Sequence, residues 1–498
     1  MAQAHSITPE KVGLTYWMDR VLGEHARLGG DLPPELVHDL RVALRRCILI
    51  ADVMRELDAS VDWNAMRKAA RRIFHRLGAL RDTQILAEWI EKLRSPDDRS
   101  AEWLPESLKA ESEKDRALAK LALKEFDRKQ WRTWTRDLAS HYRHVAANRP
   151  ACESLVLELW EAVRDLHRSA QKTRSRVAYH RLRVALKKFR YAVENFLLPA
   201  YSAWEADLKS LQDLLGEAHD LSVLEHALAK HEHPSGEDTS GSWRAKLEAE
   251  RQSRIQQYRA KMAGKSSPLQ IWREGLPAER ELRSAGLSRL AEWAYFLTPD
   301  FSRVRRVARL SLQLYDGLSN RGFVAPTSNL EGRYILQAAA LLQEVGHFKK
   351  GKAHHKESYR MIRKISPPAG WSKRDIEITA SIARFHRRAL PRPDHKILRA
   401  YEFPLRHSLV LLAAILRFAN AFNAKPYRSV RRLEVEEVSG VIVVRAEGFS
   451  DREPLGSKLS IARRLLESTL QRAVHILPPG TRMMSPRIVQ SAKRSDAA

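Results

Sequence analysis

HDLRVALRR (residues 38–46) returns as HRLRVALKK (residues 180–188), and this pair decides the reading of the fold. A second pair follows in the same order, LGALRD (residues 77–82) matching LGEAHD (residues 215–220). The first pair lies 142 residues apart and the second 138. Two matched elements at nearly constant separation mark a duplicated unit of long period. Apolar residues recur at three- and four-residue spacing through Pro34–Glu56, Trp63–Leu93 and Ser154–Leu198, so the duplicated unit is helical.

On a helix, residues three, four and seven apart share a face. His38, Arg41, Arg45 and Arg46 then make a basic stripe, and His180, Arg183, Lys187 and Lys188 make its twin, extended by Arg190. Each is about 12 Å long at about 1.5 Å per residue. A third stripe, Lys68, Arg71, Arg72 and His75, leads into Leu77-Gly78, which is expected to turn. Like charges at i,i+4 repel by a few tenths of a kcal/mol per pair, and no acidic residue stands at i+4 from any member of the three four-residue stripes. A single such stripe is ordinarily a solvated face. Three of them, two being duplicates, point to an anionic ligand that turns repulsion into charge-assisted hydrogen bonds. No second ligand stands at i+3 or i+4 from His38 or His180, so these histidines fit phosphate donors better than metal ligands. Asp82 and Asp220 are expected to orient arginines or cap helices.

The whole chain agrees in sign. It has 498 residues, enough for two or three domains, and a formal net charge of +27. Such a charge attracts polyanions in a salt-dependent way. Cys47 and Cys152 are the only cysteines, which excludes a disulfide framework and a cysteine zinc site. The opening MAQAHSITPEKVGLTYWMDR has charges where a signal peptide needs an apolar stretch. The longest apolar run, Leu409–Leu416, is far short of the ~20 residues that span a bilayer. The expected place is the cytoplasm, with polyphosphate granules as one site within it.

His-x-x-Arg-Val-x-x-Arg-Arg followed by Leu-Gly-x-x-Arg/His-Asp resembles the CHAD domain, the conserved histidine α-helical domain, over roughly residues 10 to 265. The resemblance implies two helical bundles related by pseudo-symmetry, with a basic central surface that binds inorganic polyphosphate. Arg190 matches the family pattern, whereas its counterpart in the first half is Ile48.

Downstream, ALLQEVGHFKKGKAHHKES (residues 340–358) and IARFHRRALP (residues 382–391) carry a second group of basic and imidazole side chains. They resemble the C-terminal HD-type region of the exopolyphosphatase/guanosine pentaphosphate phosphohydrolase family over about residues 285 to 478. An active HD phosphohydrolase needs a His, a His-Asp pair and a distal Asp for divalent metal. In this register those places hold Arg303, Gln343-Glu344 and Asn420. Lys349, Lys350, Lys352, His354, His355, Lys356, His386, Arg387 and Arg388 form a candidate second anion surface, some of the histidines being equally suited to satisfying buried backbone. LEVEEV (residues 433–438) and VIVVRA (residues 441–446) predict a hairpin, followed by a helix over Ser460–His475.

The expectation is therefore a mainly α protein: a pseudo-twofold pair of helical bundles over 1–275 (halves about 10–145 and 150–265), an HD-like domain over 285–478 ending in a hairpin plus helix, and a disordered tail over 479–498. The expected ligand is inorganic polyphosphate, bound without catalysis, metal or cofactor; other polyanions are secondary partners and membranes are not expected. The alternatives are a phosphohydrolase acting through the C-terminal region and a non-specific nucleic-acid binder, the latter disfavoured because only Tyr191 and Phe385 lie close to the basic residues.

Overall fold

The computed structural model describes residues 13–28, 32–93, 100–230, 240–324, 331–349, 353–450 and 454–481, with the backbone alone for 100–111, 228–230 and 240–242. Lys350, Lys352, most of the loop expected at 233–242 and all but the first residues of the expected tail lie outside them. Two compact units divide the chain, one running to Leu297 and taking in Ser366–Lys373, the other formed by Thr298–Ile365 and the chain from Arg374 onward.

The first unit is helical: α1 (Leu14–Arg27), α2 (Pro34–Leu57), α3 (Trp63–Leu93), α4 (Ser100–Lys124), α5 (Arg128–Ala147), α6 (Arg149–Thr173), α7 (Arg176–Phe196), α8 (Leu198–Lys230), α9 (Ser240–Lys261), α10 (Pro268–Glu274) and α11 (Leu282–Leu297). Its packing order repeats. α1 packs on α2, α2 on α3 and α3 on α4, while α6 packs on α7, α7 on α8 and α8 on α9. α5 then covers α1 as α11 covers α6. The repeat joins at its centre, where α2 meets α7 and α3 meets α8.

Sequence explains these elements one by one. Pro34 sits in the first turn of α2, where its missing N–H costs nothing. Leu40, Ala43, Leu44, Cys47, Ile50 and Ala51 then face inward at helical spacing. Each fully buried leucine contributes about 1.5–3 kcal/mol relative to exposure. The continuous run expected over Ser154–Leu198 is broken instead. Arg174 takes a left-handed conformation (φ 51°) that ends α6, and the Ser175 side chain accepts from the Ala178 N–H to start α7. One core runs through both halves, and polar ties cross it: the Tyr142 hydroxyl donates to the Asn195 carbonyl at 2.9 Å.

α11 falls in this first compact unit and packs on α6. Its Arg289 donates to Glu158 of α6, and its Glu292 accepts from Asn148 at 2.7 Å.

The second unit holds α12 (Phe301–Ser319), α13 (Gly332–Leu342), α14 (His354–Ile362), α15 (Lys373–Arg384) and α16 (Phe403–Ala421), then β1 (Arg432–Val438), β2 (Val441–Glu447), α17 (Ser457–Leu470) and β3 (Val474–Leu477). The apolar run Leu409–Leu416 is the middle of α16 and is buried among α12, α13 and α17. No helix among the described residues is long and apolar enough to cross a membrane. The hairpin forms as expected, β1 pairing antiparallel with β2 through Ser439 and Gly440, both at positive φ. The last helix is shorter than expected. Gln471 ends it in a left-handed conformation, and Val474 and Ile476 alternate inward to make β3, parallel to β2.

Candidate functional site

The central crossing of the first unit encloses a cavity of about 510 Å³. α2 contributes Arg41 and Arg45, α3 contributes Arg67, Arg71 and His75, α7 contributes Arg183, Lys187 and Lys188, and α8 contributes His219. Seven arginines and lysines thus face three aspartates, Asp52, Asp82 and Asp220. Acidic relief comes mainly from α3 and α8, not from i+4 on the basic helices. Asp82 and Asp220 lie inside continuous helices, as do Gly78 and Gly216, so neither a cap nor a turn stands there.

Arg41 lies flat against α3. Its Nη1 donates to the Phe74 carbonyl at 2.9 Å, and its guanidinium carbon is 4.5 Å from the Phe74 ring centre. Gly78 makes the room, because a Cβ there would stand 2.8 Å from Arg41 Nη1. Nothing lies within 4 Å of the equivalent point at Gly216. Gly78→Ala is therefore expected to leave the helix at least as stable, alanine being the better helix former. By displacing one charged donor it weakens anion binding about tenfold. Gly216→Ala leaves binding unchanged, and calorimetry on the two variants makes the comparison.

The cavity is electrostatically tense. Burial, with Arg183 and Arg45 beside it and Arg41 beyond, pushes the Lys187 ammonium down to about 7 against the pull of Asp220. Burial likewise takes Arg41 down to about 10, opposed by Asp82 and reinforced by Arg45 and Arg81. Asp220 is raised to about 6 by burial, although Arg183 and Lys187 favour its charged form. His219 is lowered to about 4 by burial and by Arg183, His180 and Lys187. The Nε atoms of Arg45 and Arg183 are buried with no hydrogen-bond partner. Crowded cations with unused donors are stabilised by an incoming anion.

Of the residues expected to bind, Arg41, Arg45, Arg71, His75, Arg183, Lys187 and Lys188 come together around this cavity. His38, Lys68 and Arg72 are exposed and outside its lining. His180 stands with its Nδ1 3.4 Å from His219 Nδ1 and lines a separate depression of about 250 Å³. Arg46 and Arg190 are engaged elsewhere. Arg46 pairs with the buried Glu194 at 2.8 Å and packs over Trp17 and Tyr191. Arg190 donates to Gln212 at 3.2 Å and bonds Tyr201, so Ile48 lines the cavity and its counterpart does not. Two lining residues, Arg67 and His219, were not expected from the sequence. Arg67 stands four residues before Arg71, and His219 lies inside the repeated motif, so both carried a signal.

In the second unit, Arg303, Glu344 and Asn420 line one cavity of about 650 Å³ with His386, Arg387 and Arg388. The register that places Arg303, Gln343-Glu344 and Asn420 at the HD metal positions thus brings three of the four together. Their chemistry does not fit that metal centre. Arg303 Nη2 donates to Glu344, so a cation already holds the carboxylate, and an amide stands at the distal acid position. Glu344, His347 and His354 do present ligand atoms within 4.8 Å of one another. His354, His355 and His386 are buried, and His354 Nε2 meets His386 Nε2 at 3.1 Å. Burial holds His386 well below its ordinary value and takes His355 down to about 4, so both are neutral at pH 7. They fill the interior and do not form a cationic surface; Lys349 and Lys356 are exposed and outside the cavity lining.

The class so defined is a duplicated helical bundle with a basic central cavity, followed by a mainly helical domain that ends in a small sheet. The family models agree. Residues 17–229 match the CHAD domain, and residues 282–441 match the Ppx/GppA phosphatase, domain III. The chain carries these two domains in that order, and together they fit a polyphosphate-related function. A comparison with curated proteins found no match.

Proposed function

We propose that this chain binds inorganic polyphosphate in the central cavity of its first unit and does not hydrolyse it. The observation that carries the reading is the convergence of Arg41, Arg45, Arg183 and Lys187 from two repeated helices on one cavity, with the Nε donors of Arg45 and Arg183 unused. A ligand made only of repeated phosphate suits rigid, crowded cations. Phe74 is the one Phe, Tyr or Trp among the residues lining the cavity, and Arg41 covers it, so bases find no open benzene or indole ring to stack on. Duplex DNA and RNA are expected to compete only at much higher concentration than polyphosphate.

Salt dependence tests the site. Replacing Arg41, Arg45, Arg183 and Lys187 with glutamine should flatten the slope of log K against log salt by about 0.7 for each phosphate no longer neutralised. An unchanged slope places the ligand elsewhere.

A pH dependence follows from Lys187. Its value of about 7 in the empty cavity rises when phosphates enter, so binding takes up a proton above that pH. Arg183 on its own helix, Arg41 and Arg45 on α2 and Asp220 on α8 face it throughout. The gain is fully present below pH 7 and is lost as pH rises through the bound value. Affinity should fall by up to about tenfold per pH unit between pH 7 and 9. Below pH 6, protonation of Asp220 removes a negative charge and strengthens binding further. Lys187→Arg does not titrate in this range and should hold affinity constant from pH 7 to 9, as read by calorimetry.

The proximity of Glu344, His347 and His354 favours the phosphohydrolase as the second reading. Phosphate release from long-chain polyphosphate with Mg²⁺ or Mn²⁺, lost in Glu344→Ala while binding is retained, would replace our reading with that one.

A further inference from the structure

The cavity of the second unit has a composition that the failed metal centre does not explain. Around it stand Arg387 and Arg388 from the turn after α15, Arg417 from α16, Lys425 and Arg428 from the segment after α16, and Lys458 from α17. Its one carboxylate, Glu344, is held by Arg303. Among the described residues, the side chains of Arg387, Arg388, Lys425 and Lys458 have no acidic partner and no hydrogen bond. Cations brought together unpaired cost free energy in the empty state.

The backbone is also committed there. Arg388 adopts φ 68°, a conformation that side-chain-bearing residues rarely take. Arg417 braces it from α16, donating to the carbonyls of Arg388 at 3.1 Å, Ala389 at 3.1 Å and Phe385 at 3.2 Å. Strain held by a dedicated arginine fixes the Arg387-Arg388 pair at the cavity mouth. The apolar lining consists of Ala421, Ala424 and Ile461, with no Phe, Tyr or Trp in the lining and His386 only 2% exposed, so a nucleobase finds no open aromatic ring to stack on.

We infer that this cavity is a metal-independent site for a short run of condensed phosphates, with arginine guanidinium groups taking the charge-neutralising place a divalent metal would have. The ligand is the bare chain rather than one carried on a nucleotide. This site stands on residues of the second unit alone and does not depend on the reading of the first.

The test uses the full chain carrying Arg41→Glu and Arg183→Glu, titrated with tripolyphosphate in EDTA by calorimetry. Binding is expected with one ligand per chain and no stimulation by Mg²⁺. Adding Arg387→Ala and Lys458→Ala should weaken it about tenfold for each cation removed, about a hundredfold in all. Both side chains are exposed, so the thermal unfolding of the variant should match its parent, and Arg387→Lys in place of Arg387→Ala should recover part of the loss. Tripolyphosphate affinity unchanged by these substitutions, binding that appears only with Mg²⁺, or tighter binding of ATP than of tripolyphosphate would each overturn the inference. Failure of the first site reads differently, as long-chain polyphosphate affinity unaffected by Arg41→Glu and Arg183→Glu.

Discussion

Reversing Arg41 and Arg183 together to glutamate is expected to weaken long-chain polyphosphate binding to the first unit about a thousandfold at low salt. Each guanidinium is half-buried in the cavity, where a charged hydrogen bond contributes about 1.5–3 kcal/mol. Removing both bonds amounts to about 3–6 kcal/mol before repulsion is counted, and about 4 kcal/mol is a thousandfold. The new carboxylates would also face Asp82 and Asp220, whose charges already act on Arg41 and Arg183. Because that crowding also burdens the fold, Arg41→Gln with Arg183→Gln is the companion variant, with an expected loss of about a hundredfold. Fluorescence anisotropy with labelled polyphosphate reads both, and circular dichroism confirms that the helices persist. Affinity within a few-fold of the parent in the glutamine variant would remove the cavity from the account.

The second large effect concerns stability. Glu194 is 1% exposed and Arg46 12%, and they form an ion pair inside the first unit. Removing one partner of a buried pair costs about 3–5 kcal/mol, because the other charge is left without compensation. Glu194→Ala should therefore lower the urea midpoint of the first unit's unfolding transition sharply. Replacing both partners, as Arg46→Met with Glu194→Leu, should recover most of the loss, since apolar replacements of a buried pair are often neutral. Where both remain folded, Arg46→Met should bind polyphosphate nearly as the parent does. A large binding defect with little loss of stability would return Arg46 to the ligand face that its spacing suggests.

That contrast shows what the sequence could carry. The duplication, the helical period of α2, α3 and α7, and the hairpin were legible because each is written locally, in a repeated motif, a three-to-four spacing or a Ser-Gly turn. The convergence of Arg41, Arg45, Arg183 and Lys187 followed from the same spacing. Arg46 did not, although its counterpart Lys188 lines the cavity, because Glu194 of α7 and the Trp17 and Tyr191 rings take it up. Arg190 does lie on the right face, seven residues after Arg183, but Gln212 and Tyr201 take it up, and the register of α8 against α7 is not written in α7. The break at Arg174 and the stop at Gln471 were hidden for one reason: left-handed residues other than glycine give no sequence signal. α11 is an apolar helix by any reading. Only its partners Glu158 and Asn148 on and before α6 show which helix it packs against.

The most direct measurement is a crystal structure of the full chain with a short polyphosphate. The account predicts phosphate density among Arg41, Arg45, Arg183 and Lys187, with the Nε atoms of Arg45 and Arg183 newly bonded and Arg46 still on Glu194. Well-ordered polyphosphate elsewhere on the first unit, with this cavity empty, would contradict it.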